Sequence, residues 1–132
     1  MPHLPYVWNI SDIIKENHAF RKVLYTWAQL QLVAMCLKPL EDTWHYIHDN
    51  QDVIIRIEQW EAMIDVDGFE YVVNNNMAIV VPMWSKHIIK NTSKDKVLYL
   101  HIVYALPFHA DHKIHHTKED AEKERPSHWQ NE

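Results

Sequence analysis

The sequence predicts an all-β protein: a sandwich or barrel of short antiparallel strands, with a short helical segment at each end. Three observations point there. Roughly seven to nine runs rich in β-branched and aromatic residues recur between turn signals about every eight to twelve residues, the spacing of sandwiches and barrels. Asp67-Gly68 stands between two such runs and is the best local hairpin signal in the chain, because both central residues of a type I′ turn need φ > 0. The stretch 97–105 alternates, with Leu98, Leu100, Ile102 and Tyr104 on one face and Tyr99, His101 and Val103 on the other.

The elements follow in order. Residues 1–10 contain Pro2 and Pro5 and read as an extended lead-in. Ser11 is placed to cap a short helix over 12–17, with Ile13 and Ile14 turned inward. Strands are expected over 21–26 and 29–37. Pro39 ends the second, since proline cannot donate into a central ladder. Polar residues fill 41–52. Val53-Ile54-Ile55-Arg56-Ile57 is the strongest strand, being almost wholly β-branched. Residues 61–66 and 69–73 are the arms of the Asp67-Gly68 hairpin. Asn74-Asn75-Asn76 makes a second turn, because asparagine tolerates left-handed backbone. Strands over 78–81, closed by Pro82, and 87–89 precede a polar turn at 91–96 and the final alternating strand. Beyond Pro107 the composition shifts: residues 108–116 hold four histidines and one aspartate. Residues 117–125 suit a short helix with Thr117 as N-cap and Asp120 as its partner. Residues 126–132 are expected to fray. The chain thus divides into an N-terminal extension with a short helix (1–20), a barrel (21–107) and a His-rich, charged tail (108–132).

Composition narrows the function classes. The 132 residues are 47% hydrophobic and 23% charged, which is globular rather than disordered. The net charge is −5, so a nucleic-acid partner is not expected. No apolar run approaches the ~18 residues of a membrane span. The start Met1-Pro2-His3-Leu4-Pro5 lacks the basic and apolar segments of a signal peptide. The single cysteine, Cys36, excludes an intrachain disulfide framework and suits a reducing cytoplasm. Cys36 sits in an apolar strand and reads as an inert core residue rather than a nucleophile, with nothing near it in sequence to lower its pKa. Eleven histidines leave the charge soft near pH 6. Glycine is the odd count. There is one, where average usage of about 7% gives roughly nine, and there are six tryptophans.

One motif is specific. Pro82-Met83-Trp84-Ser85-Lys86-His87-Ile88-Ile89-Lys90-Asn91 follows the pattern Pro, any, Gly, two any, His, three any, Asn, with Trp84 in the glycine's place. The run Met77-Ala78-Ile79-Val80-Val81 precedes it, and Val53-Ile54-Ile55-Arg56-Ile57-Glu58-Gln59 and Tyr104-Ala105-Leu106-Pro107-Phe108-His109 add to it. From about Val23 to Ala121 the chain resembles the small bacterial single-domain cupins, RmlC-like jelly rolls often described as mannose-6-phosphate-isomerase-like. The resemblance implies a double-stranded β-helix, or jelly-roll barrel, pairing as a homodimer. It also implies a divalent transition metal (Fe, Mn, Zn or Ni) inside the barrel.

By that resemblance the metal positions fall on Tyr46, His48, Val53 and His87. His48 and His87 supply two nitrogens. Tyr46, two residues from His48, faces the same way on a strand, and its phenol ligates only with a strong Lewis acid. Val53 ligates nothing. The alternative is that His48 and His87 are pocket histidines hydrogen-bonded to a ligand or water. His45 and Asp52 are substitutes only if the chain is irregular there, since a one-residue offset turns a side chain to the other face. His101 is a reserve ligand if it points into the barrel. His109, His112, His115 and His116, with Asp111 among them, offer a second metal cluster or else a solvated loop covering the barrel. Two functions stand: a metal-dependent isomerase or oxygenase acting on a small sugar or organic acid, and a non-catalytic small-molecule-binding or sensing domain with a degenerate metal site.

The resemblance also gives the glycine count a pattern. Trp27, Trp44, Trp60 and Trp84 stand where similar proteins carry glycine, at turns that use φ > 0. UGA codons meant as glycine but translated as tryptophan would explain this, with deliberate substitution as the alternative. Leu40 and His112 replace expected glycines without being tryptophan.

Overall fold

The structure is a computed structural model describing residues 4–125; the expected fraying at 126–132 lies outside the described residues. In chain order the elements are α1 (Ile10–Glu16), β1 (Arg21–Trp27), β2 (Leu30–Leu37), β3 (Tyr46–Ile47), β4 (Asp52–Gln59), β5 (Glu61–Val66), β6 (Phe69–Asn74), β7 (Ala78–Val81), β8 (Lys86–Lys90), β9 (Leu98–Ala105), β10 (Ile114–His115) and α2 (Lys118–Glu124). All pairings between strands are antiparallel, and the strands form two sheets. One runs β10-β1-β2-β9-β4-β7 and the other β3-β8-β5-β6. This is the jelly roll that the sequence anticipates.

The core lies between the sheets. The period of two turns Leu98, Leu100, Ile102 and Tyr104 of β9 inward, where they meet Val33 and Met35 of β2 and Ile55 of β4. Burying each such aliphatic side chain contributes about 1.5–3 kcal/mol relative to leaving it exposed. The opposite face of β9 leaves the barrel interior. There His101 Nδ1 meets Glu58 Oε1 at 3.1 Å, and Arg56 Nε reaches the same oxygen at 3.1 Å. His101 is therefore part of an ion-paired group outside the barrel, and not the reserve metal ligand. A register shift between Ile57 and Gln59 lies beside it.

Helix α1 buries Ile14, as expected, but it starts earlier than the sequence indicates. Asn9 caps it, its side chain accepting from the Asp12 amide. Asn and Ser are equivalent caps, so local chemistry does not choose between Asn9 and Ser11. Helix α2 has the expected cap, with Thr117 Oγ1 accepting from the Asp120 amide at 3.1 Å. Asp67 (φ 53°) and Gly68 (φ 90°) both adopt the left-handed backbone that a type I′ turn requires. No helix among the described residues is long and apolar enough to cross a membrane.

The tryptophan positions divide. Trp44 (φ 62°), Trp60 (φ 76°) and Trp84 (φ 76°) are left-handed, as are Leu40 (φ 66°) and His112 (φ 57°). An L-residue there brings its Cβ against the following carbonyl. Trp27 does not join them: it is the last residue of β1, paired with Leu30 in the ladder, and its φ is not positive. The hairpin between them turns at Ala28-Gln29, so this tryptophan sits on a strand where any residue fits.

Candidate functional site

Strands β3 and β8 pair with Tyr46 directly opposite His87. Two residues beyond Tyr46, His48 turns to the same side. Its carbonyl accepts from the Trp84 amide at 2.8 Å, so the left-handed turn before β8 ties the two arms of the site together. The His48 and His87 rings lie 5.3 Å apart, and the Tyr46 ring lies parallel to His48 at 5.6 Å. Phe108 meets His48 edge-on at 4.5 Å, and Tyr104 of β9 meets it edge-on at 5.5 Å.

His48 and His87 are 4% and 3% exposed. Burial pushes the pKa of both down to about 4. The Arg21 charge acts the same way on His48, and His48 acts on His87. Both imidazoles are neutral at pH 7, and the Nδ1 atom of each is buried without a hydrogen-bond partner.

The structure thus brings His48, His87 and Tyr46 together. Their surroundings do not fit a resident divalent ion. Val53 is buried in β4 and offers no donor. The Tyr46 hydroxyl accepts from Arg21 Nη2 at 3.3 Å, which places a guanidinium where a metal needs an anionic ligand. Among the described residues no group of three or more His, Cys, Asp or Glu side chains could hold a metal ion. The substitutes do not join the set. Asp52 is exposed, and its Oδ1 accepts from the Met83 amide at 2.8 Å. His45 is half-buried and only adds its charge to the field on His87. Cys36 is buried, and burial pushes its thiol up to about 11, as an inert core residue requires.

The tail histidines disperse instead of clustering. His109 packs on Tyr104, its Nε2 at 3.4 Å from the hydroxyl. His112 is exposed beside Asp111. His115, on β10, is buried between Arg21 and Glu124, with Nδ1 at 3.3 Å from Arg21 Nη1 and Nε2 at 2.7 Å from Glu124 Oε2. His116 is exposed.

The loop that carries Phe108 and His109 is held over the barrel mouth by Gln31 of β2. The buried Gln31 amide uses its whole capacity there. Oε1 accepts from the amides of Phe108 (3.1 Å) and His109 (2.9 Å), while Nε2 donates to the His109 carbonyl (2.7 Å) and Thr26 Oγ1 (3.0 Å). Beneath this loop lies a cavity of about 250 Å³, lined by Arg21, Tyr46, Phe108, His109, His115 and Arg125 among others. His48 and His87 do not line it; Tyr46 and Phe108, which do, lie against His48. Sequence reasoning missed Arg21 and Gln31. A signal existed for Arg21: it is two residues from the inward Val23 and so shares its face. No local signal marks Gln31 as a clamp, since its partners on the loop lie 77 and 78 residues away.

Known proteins place this architecture. No protein-family profile matches the chain. It is 36% identical over 123 residues to the uncharacterized protein YrkC of Bacillus subtilis, an alignment covering 89% of this chain and 66% of YrkC. The chain therefore spans about two thirds of the length of that curated relative. The crystal structure of BH2720 from Bacillus halodurans superposes with a TM-score of 0.88 at 32% identity, covering 91% of this chain and 95% of that one. A cupin superfamily protein, DSY2733 of Desulfitobacterium hafniense, superposes with a TM-score of 0.64 at 16% identity, covering 80% of this chain and 94% of that one. The chain belongs to the family that includes BH2720 and YrkC, a family of small cupin-fold domains.

Proposed function

We propose that this domain binds a small molecule at the barrel mouth without catalysing its conversion. The supporting observation is the convergence of the buried Arg21 and His115 and the half-buried Tyr46 and His109 on a cavity whose other walls include Phe108, Ala110, Lys113, Glu124 and Arg125. Fixed polar groups that converge on a concavity beside an aromatic wall are what orients a small ligand in a pocket. The Gln31 clamp supports a preformed pocket, since it orders the covering loop before any ligand arrives. Metal-dependent isomerase or oxygenase chemistry fits less well, because the set His48, His87 and Tyr46 lacks an anionic ligand and has a guanidinium against its phenol.

A thermal-shift screen over sugars and organic acids tests this reading. A ligand present at about 100 times its Kd stabilises a native state by about 2.7 kcal/mol. A hit is expected, and Ala110→Trp, which fills the cavity from its exposed edge, is expected to remove it. Absence of any stabilising ligand would count against the pocket. A full equivalent of tightly held transition metal in protein purified without a His-tag would restore the enzyme reading.

A further inference from the structure

The pocket wall holds a buried cation, Arg21, that has no carboxylate within ion-pair distance among the described residues. Arg21 is 3% exposed at the start of β1 and lines the mouth cavity. Nη2 donates to the Tyr46 hydroxyl, Nη1 lies 3.3 Å from His115 Nδ1, and the guanidinium carbon is 5.3 Å from the centroid of the Phe20 ring. Nε is buried without a partner. None of these neighbours is a carboxylate. The His115 ring bridges the two, with Nδ1 facing Arg21 and Nε2 facing Glu124. Glu124 therefore reaches Arg21 only through the His115 ring, and it already pairs with Lys113.

The neighbouring cations differ. Arg125 pairs with Glu122 at 3.6 Å, and Lys118 with Asp42 at 2.9 Å. Among the described residues no Asp or Glu stands within ion-pair distance of Arg21. A guanidinium does not relieve its burial by losing a proton, and an ion taken out of water without a partner is strongly unfavourable. A chain that keeps such a group at the wall of a cavity has an anion to put beside it.

We propose that the mouth cavity takes a small anionic molecule, its carboxylate or phosphate group set against Arg21 with the Tyr46 hydroxyl alongside. This rests on the mouth being a ligand pocket and adds the chemical class. The guanidinium fork matches both oxyanions. A cavity of about 250 Å³ falls below the roughly 300–1,000 Å³ of pockets for drug-sized ligands, so the ligand is a small acid rather than a nucleotide. The field of Arg21 contributes to keeping His48 and His109 neutral, and Arg125 and the Lys113–Glu124 pair are the other charged groups of the cavity wall.

The test titrates the full chain with succinate, inorganic phosphate and glucose at constant ionic strength, by calorimetry and by the NMR signal of the Arg21 Nε–H. The expected result is saturable binding of succinate or phosphate, a shifted Nε–H resonance, and no binding of glucose. Which of the two anions binds assigns the headgroup. Arg21→Lys keeps the charge but loses the fork, and is expected to weaken binding by roughly tenfold or more. Lys22→Gln, which removes a charge from the exposed neighbour, leaves binding unchanged. If Arg21→Gln does not fold, the wild-type Nε–H shift still decides. Glucose binding with no response to either anion overturns the anion assignment while leaving the pocket intact. Silence from all three probes overturns both. Anion binding that Arg21→Lys leaves untouched also overturns the assignment.

Discussion

Replacing Trp84 by glycine stabilises this protein, while replacing it by alanine does not. Trp84 sits at φ 76° and is 67% exposed, so its indole contributes little burial and its Cβ is strained. The left-handed conformation costs an L-residue roughly 1–2 kcal/mol. Glycine removes that cost and returns roughly 0.5–1 kcal/mol as extra unfolded-chain entropy. The net gain for W84G is about 0.5–1 kcal/mol, a rise in Tm of roughly 2–5 °C for a chain of this size. The Trp84 amide bond to His48 survives, since it is a backbone bond.

The same reasoning grades the other two positions. Trp60 is 42% exposed with Lys96 Nζ 4.6 Å from its ring centroid. An exposed cation–π contact is worth ~0.5–1 kcal/mol, which brings W60G near zero. Trp44 is partly buried against the core, edge-on to Phe20 at 5.8 Å, with Arg125 and Lys118 at 4.4 and 4.7 Å from its ring centroid. Its packing outweighs its strain, and W44G destabilises by about 1–3 kcal/mol. Urea unfolding with unchanged m-values measures the series. Equal midpoints for W84G and W84A would refute the backbone argument, because alanine keeps the Cβ. If the three residues stand for glycine, their codons are UGA; UGG at all three removes that explanation.

Three further outcomes are expected. His48 and His87 stay neutral in the native state down to about pH 4, whereas unfolded histidine takes up a proton near pH 6.5. Their contribution is whole above pH 6.5 and is lost as pH falls towards 4, by roughly 3 kcal/mol per histidine; urea midpoints that do not fall between pH 7 and pH 4.5 would contradict this. The Asn91 amide donates to the carbonyls of Leu37, Lys38 and Lys96, so Asn91→Asp, equal in size but without donors, costs about 2–4 kcal/mol in chemical denaturation; a near-neutral result would refute the role. Gln31→Leu frees the mouth loop, and amide exchange at Phe108 and His109 quickens while that of the β9 core is unchanged; unchanged exchange at both amides would show that the clamp is not needed.

Much of the fold was legible because it rests on neighbours in sequence. The bounds of β5 and β7 and the Asp67-Gly68 turn follow from β-branched runs and left-handed preferences within a few residues. The cap of α2 lies in one short motif. The two-residue strands β3 and β10 are too short to carry a period, and pairing with β8 and β1 is what makes them strands. The site was half legible: His48, His87 and Tyr46 meet as spacing and resemblance implied. The donor set around them was not legible, since the guanidinium against Tyr46 comes from a residue 25 positions away.

By itself, the sequence determined the class of fold, the strand faces and the left-handed turns at Asp67-Gly68 and Asn76, all decided by side-chain alternation and backbone sterics over a few residues. Only the tertiary structure decided that His101 leaves the barrel, that Trp27 is unstrained and that Gln31 holds down the mouth. It alone decided that Arg21 is buried with no carboxylate of the described residues within ion-pair distance. Those outcomes depend on which groups long-range pairing brings together and on how much water it removes from a charge, and no stretch of chain carries that by itself.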